Sequence, residues 1–129
     1  MNTAEEIIKA SSSYVVSTID DYGFPLSVTV SKIVERTGYV TLFFYFDEKS
    51  NFVNNMKKRP KGSVSISVEH PNRIETLNLK GTFTFETDWD LKSVRDIVND
   101  AESKLDYENP VVVVFETLNH EIEVVNKYI

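Results

Sequence analysis

Few residues in this chain are of types that do chemistry. Its two histidines, His70 and His120, both fall in segments rich in turn formers. His120 opens the tightest grouping of metal-ligating types, His120-Glu121-Ile122-Glu123. On a strand, alternation sends His120 and Ile122 to one face and the two glutamates to the other, so no chelating set forms. Cysteine is absent, which removes thiolate metal sites, disulfides and cysteine nucleophiles together. Serine is plentiful, but no G-x-S-x-G turn accompanies it and neither histidine is placed to act as its base. There is no glycine-rich phosphate loop and no His-Glu-x-x-His pair. Hydrolysis of the familiar motif-borne kinds and zinc chemistry are therefore unsupported. Trp89 and the run Phe43-Phe44-Tyr45-Phe46 are the other conspicuous resource, and their first expectation is burial in a core or an interface.

The elements that must position these residues follow from periodicity. Thr3 with Glu6 three residues on is a capping-box pattern, and Ala4, Ile7 and Ile8 behind it predict a short amphipathic helix ending near Ser11 to Ser13. Tyr14 to Ile19 is rich in β-branched residues, Asp20-Asp21-Tyr22-Gly23 is a turn, and Leu26 to Val34 is a second extended run. A turn at Glu35-Arg36-Thr37-Gly38 leads into Tyr39 to Phe46, apolar enough for a strand covered on both faces. Asp47 to Arg59 has helical spacing, with Phe52, Val53 and Met56 on one face, Asp47 or Ser50 as cap and Pro60 as stop.

Ser63 to Val68 and Leu77 to Glu86 alternate apolar with polar, joined by turn residues His70-Pro71-Asn72, and predict a second hairpin. Its serines Ser63, Ser65 and Ser67 make a wet face, and Gly81 in mid-strand marks a bulge or bend. Thr87 or Asp88 is positioned to cap a helix carrying Leu91, Val94, Ile97, Val98 and Ala101. Asn109-Pro110 precedes a strand over Val111 to Phe115, a turn at Thr117-Leu118-Asn119-His120 and a last strand over Ile122 to Val125. The sum is a mainly β fold, a β-barrel of about seven strands with flanking helices.

With 129 residues and neither a repeat nor an internal linker, one domain over residues 1–129 is expected. Hydrophobic residues at 41% and charged ones at 26% are globular values, which decides against disorder. A net charge of −6 repels a phosphate polymer, so nucleic acid is not an expected partner. The basic cluster Lys57, Lys58, Arg59 and Lys61 reads as a solvated helix end favoured by the helix dipole. The first ten residues lack a basic-then-apolar leader and no apolar run spans a bilayer, so a cytoplasmic location without a membrane partner is expected.

The order of features, more than any one motif, carries a resemblance. It runs from Tyr14 through Gly23 and Pro25, over the aromatic strand, to Ser50 opening a helix that ends Met56-Lys57-Lys58-Arg59-Pro60. It continues through Ser63 to Val68 and Leu79 to Phe83, closing at Thr87-Asp88. Over Tyr14 to Asp88 the chain resembles the pyridoxamine 5′-phosphate oxidase-like FMN-binding split barrels, in particular their general stress protein 26-like members. The resemblance implies a homodimer holding FMN in clefts between subunits. It implies that Ser27, Val28, Thr29, Val30, Ser31 and Tyr45 approach the flavin ring, and that Phe46, Lys49, Ser50 and Asn51 lie by the phosphate. Amides at a helix start, a hydroxyl and an ammonium suit a phosphate dianion.

Aligned without gaps on Pro25 and Pro60, the chain departs from the family at three polar phosphate contacts. Val28 stands for an arginine, Phe46 for a threonine and Phe52 for a lysine, with Lys49 or Lys32 left to compensate. Charge-assisted bonds contribute about 1.5 to 3 kcal/mol each, so such losses move affinity by orders of magnitude. Two functions are expected from this: a flavin-dependent oxidoreductase of a small molecule, or a non-catalytic binding or stress protein that has lost FMN or holds another ligand.

Overall fold

The Thr3 hydroxyl accepts from the Glu6 N–H at 3.3 Å and the Glu6 carboxylate accepts from the Thr3 N–H at 3.1 Å. This is the expected capping box, and it opens α1 (Ala4–Ala10) in the computed structural model, which describes residues 2–99 and 105–127. β1 (Tyr14–Ile19) and β2 (Pro25–Val30) form the first hairpin. Its turn is tied by Asp20 Oδ1, which accepts from the amides of Tyr22 and Phe24, and Gly23 takes φ +85°, where a side chain would be strained.

β2 stops at Val30 and does not continue to Val34, and β3 (Glu35–Thr37) occupies most of the expected turn. The reason is tertiary. The edge of β4 (Thr41–Asp47) pairs with Glu35 to Thr37, and the reversal tightens around Gly38, at φ +56°. β4 is covered on both faces as its composition predicts. Leu42, Phe44 and Phe46 join the main core, and Tyr45 joins a second cluster with Val94 and Val98.

Ser50 caps α2 (Asn51–Lys58), while Asp47 accepts the Lys49 amide instead. β5 (Lys61–Glu69) and β6 (Arg73–Glu86) make the long second hairpin. α3 (Leu91–Val98) is capped by Asp90, not by Thr87 or Asp88, because only Asp90 directly precedes the first turn and reaches the Lys92 amide at 3.2 Å. Ala101, placed on this helix by its spacing, lies outside the described residues.

β7 (Pro110–Asn126) is one 17-residue strand, not two strands about a turn. β6 pairs with it from end to end, and the turn chemistry of Thr117 to His120 is absorbed as a bulge. Lys80 pairs with Asn119 but Gly81 pairs with Thr117, which leaves Leu118 as the extra residue. The irregularity expected at Gly81 is therefore present, and His120 lies on a strand, its ring 4.8 Å from that of Tyr39.

All pairings are antiparallel, in the order β2-β1-β5-β6-β7-β4-β3. The sheet is not closed into the expected barrel: β2 and β3 are its edges, and no ladder joins them. Residues 31–34 carry the chain from one edge to the other, and four residues reach no more than about 18 Å, so these edges meet at one corner. α1 and α2 fill the inner face, and their Ile7, Ile8, Phe52, Val53 and Met56 join the main core. Among the described residues no helix is long and apolar enough to cross a membrane.

One buried charge had no signal in the sequence. The Glu75 side chain is fully enclosed and accepts from the backbone N–H of Asn2 at 2.8 Å and its side-chain amide at 3.0 Å, with Arg73 at 3.2 Å. The Asn2 amide first, then Arg73 and the nearby His70, hold this carboxyl below its usual range against the opposing effect of burial.

Candidate functional site

Where β2 runs out, a cavity of about 190 Å³ opens, lined by Thr29, Val30, Ser31 and Lys32 and faced by Tyr45. α3 and the approach to β7 close it with Val98, Leu105 and Tyr107. The local sequence explains the shape. β2 must leave the sheet to reach β3, and β4 places Tyr45 on the face that α3 covers.

Tyr45 is only 2% exposed, and its ring stacks on Tyr107 at 5.4 Å. Its hydroxyl is enclosed and lacks a hydrogen-bond partner of good geometry among the described residues. The Arg95 guanidinium does approach it, and the tyrosine oxygen is the main influence holding Arg95 charged. Burial, reinforced by Asp47 and Tyr45, pushes the Tyr107 phenol up, so that ring stays a neutral donor at physiological pH. An enclosed hydroxyl without a good partner costs stability unless a ligand or water satisfies it.

Of the residues implied to approach a flavin ring, Thr29, Val30, Ser31 and Tyr45 come together here. Ser27 lies on the open face of the sheet with its hydroxyl 2.7 Å from that of Ser17, and Val28 packs against the main core. The phosphate-side residues are elsewhere. Lys49 and Asn51 are exposed, and Asn51 borders a separate depression of about 280 Å³ that also holds Asp20 and Asp21. Phe46 is buried between Phe44 and Phe52, at ring separations of 5.8 and 5.2 Å, so its side chain serves the core.

The fit to FMN divides accordingly. The corner cavity offers hydroxyls and an enclosed phenol to the polar edge of a planar ring. At the start of α2 the donor set is poor for a dianion. The Ser50 hydroxyl donates to the Asp47 carbonyl at 2.7 Å and accepts from the Val53 amide at 3.2 Å, so capping occupies it. The carboxylates of Asp47 and Glu48 adjoin the helix start, and Val28, Phe46 and Phe52 contribute no polar group. The residues present thus fit the ring and do not fit the phosphate at that position.

Sequence reasoning missed Tyr107 and Leu105. Both precede Asn109-Pro110 in a stretch without periodicity, so only the fold reveals them. The basic cluster behaves as expected of a solvated helix end: Lys57 pairs with Glu48 at 3.1 Å, and Lys58 and Arg59 pair with Asp21. Among the described residues, no group of three His, Asp or Glu side chains could hold a metal ion.

No family model matches the chain, and no curated protein matches it in sequence. Solved structures do. A protein from Bacteroides thetaiotaomicron assigned to 5-nitroimidazole antibiotic resistance aligns with TM-score 0.75 at 16% identity, covering 95% of this chain and 82% of that one. A Listeria innocua protein assigned as a pyridoxamine 5′-phosphate oxidase aligns with TM-score 0.71 at 18% identity, covering 91% of this chain and 92% of that one. General stress protein 26 from Bacillus anthracis aligns with TM-score 0.70 at 14% identity, over 95% of both chains. An F420 reductase and a heme binding protein from Mycobacterium smegmatis, of which this chain spans 59%, align as well. At these identities the likeness speaks to architecture: the chain has the fold of the pyridoxamine 5′-phosphate oxidase and general stress protein 26 structures.

Proposed function

We propose that the protein binds a flavin, FMN foremost, in a cleft that a second copy of the chain completes, and that it exchanges electrons with a small molecule through it. The observation that carries this reading is the enclosed Tyr45 hydroxyl beside Thr29, Val30 and Ser31, where the resemblance expects the ring. The cavity volume of about 190 Å³ supports the shared cleft. It falls below the roughly 300 Å³ at which single-chain ligand pockets begin, so one chain offers only part of a flavin site. A bound flavin supplies the electron transfer. The chain's own residues orient the ring's polar edge through Thr29, Ser31 and Tyr45, and exclude water through Val30, Leu105 and Tyr107.

A second reading, a non-catalytic binding protein on the same fold, is favoured by one observation, the capped and acid-flanked start of α2. Titration with FMN, followed by flavin fluorescence, separates the two. Sedimentation should give twice 14.8 kDa. Wild type should bind one FMN per chain, and Tyr45→Phe should weaken binding about tenfold, the loss of one enclosed hydrogen bond, without lowering the melting temperature. A folded dimer that leaves flavin fluorescence unchanged would select the second reading, and a clean monomer would remove the shared cleft.

A further inference from the structure

The outer face of β2, β1, β5, β6 and β7 has neither α1 nor α2 against it, since both helices pack on the inner core. The strand registers set Ser27, Ser17, Ser63, Lys80 and Asn119 opposite one another in a row across these five strands. Beside the row, the bulge at Lys80/Gly81 leaves Leu118 out of the ladder and 72% exposed.

A cavity of about 570 Å³ lies there, well within the range that holds small ligands. Ile19, Pro25 and Leu118 give it apolar wall, and Gly62 and Gly81, paired across β5 and β6, bring bare backbone to its lining. Ser17, Ser63, Lys61 and Lys80 supply its polar groups. Lys80 is only loosely held, 3.5 Å from Glu121, and no ion pair involves Lys61 among the described residues. Ile19 and Lys61 also border an adjoining depression with Lys58 and Arg59, whose charges are already answered by Asp21, so Lys61 and Lys80 are the cations left to meet an anion. In a chain of net charge −6, no carboxylate among the described residues lines either cavity.

We propose that this cavity is a second small-molecule site, for an amphipathic anion. A ring or short apolar chain lies against Ile19, Pro25 and Leu118, and a carboxylate, sulfonate or phosphate is met by Lys61 and Lys80. The lysines act as strongly hydrated point charges, so binding tolerates variation in the anion and weakens with salt. Among the described residues the cavity shares no lining residue with the one at Tyr45, and the assignment does not depend on the flavin reading.

The test uses the intact protein and the fluorescent probe 8-anilinonaphthalene-1-sulfonate. Saturable binding of one probe per chain is expected, displaced by 2-naphthoate and at least about tenfold less well by neutral 2-naphthamide, since one charge-assisted contact is worth about a factor of ten. Lys61→Met with Lys80→Met keeps the apolar stems and should weaken the probe about tenfold or more. Both side chains are exposed, so melting temperature should stay unchanged, as should binding of FMN. Probe affinity unaltered in the double variant would overturn the assignment. So would probe binding that appears only when the protein is diluted to monomers, which would mean that a second copy covers this face.

Discussion

A Phe52→Lys variant is expected to melt roughly 10 °C below the wild type, a loss of at least about 3 kcal/mol, with no gain in flavin affinity. Phe52 is 6% exposed, meets Phe46 edge to face at 5.2 Å, and shares its helix face with Val53 and Met56, both fully buried. A lysine there loses the aromatic contact and must either bury an ammonium without a partner or pull the start of α2 away from the sheet. The family alignment assigns this position to a phosphate-binding lysine, which predicts the reverse: a stable protein and tighter FMN. Thermal melting and FMN titration on the same sample separate the two. Burial decides for the core.

Gly81→Ala is expected to cost about 2 to 4 kcal/mol although it adds a single methyl group. A Cβ at Gly81 would overlap the backbone carbonyl of Glu116 and press on the Phe115 ring, and backbone on a paired strand does not move aside like a surface side chain. β6 and β7 are the longest paired strands and lie at the centre of the sheet, so separating them at the bulge loosens ladder and core together. Lys80→Ala, one residue away on an exposed side chain, should change stability by less than about 0.5 kcal/mol. Denaturant midpoints of the two variants check this, and a Gly81→Ala midpoint equal to that of Lys80→Ala would contradict it.

What was legible in the sequence was local. The Thr3–Glu6 box, the Ser50 cap with its Pro60 stop, the two-sided aromatic strand and the Gly81 irregularity each rest on residues within a few positions of one another. What was not legible depended on distant partners. Glu35 to Thr37 and Thr117 to His120 have turn composition, yet an available neighbouring strand drew each into a ladder. Glu75 occupies a core-facing place in β6 that sequence reasoning does not give to a carboxylate. It is tolerated only because Asn2, Arg73 and His70 converge on it from elsewhere.

The candidate site divides along the same line. Thr29, Val30, Ser31 and Tyr45 meet because the edges of the sheet meet. Lys49, Ser50 and Asn51 keep the ordinary duties of a helix start. Ser50 in particular is a strong cap, and capping spends the hydroxyl that a phosphate would need.

On the proposed reading the protein holds a flavin by its ring, with little help from its phosphate. The most direct measurement compares the affinities of FMN and riboflavin for the purified protein by fluorescence titration in one buffer. The two dissociation constants should agree within about threefold, a phosphate contribution below about 0.7 kcal/mol. FMN binding a hundredfold or more tighter than riboflavin would contradict the account, since a phosphate site worth at least about 2.7 kcal/mol would then exist among residues assigned here to the core and to capping.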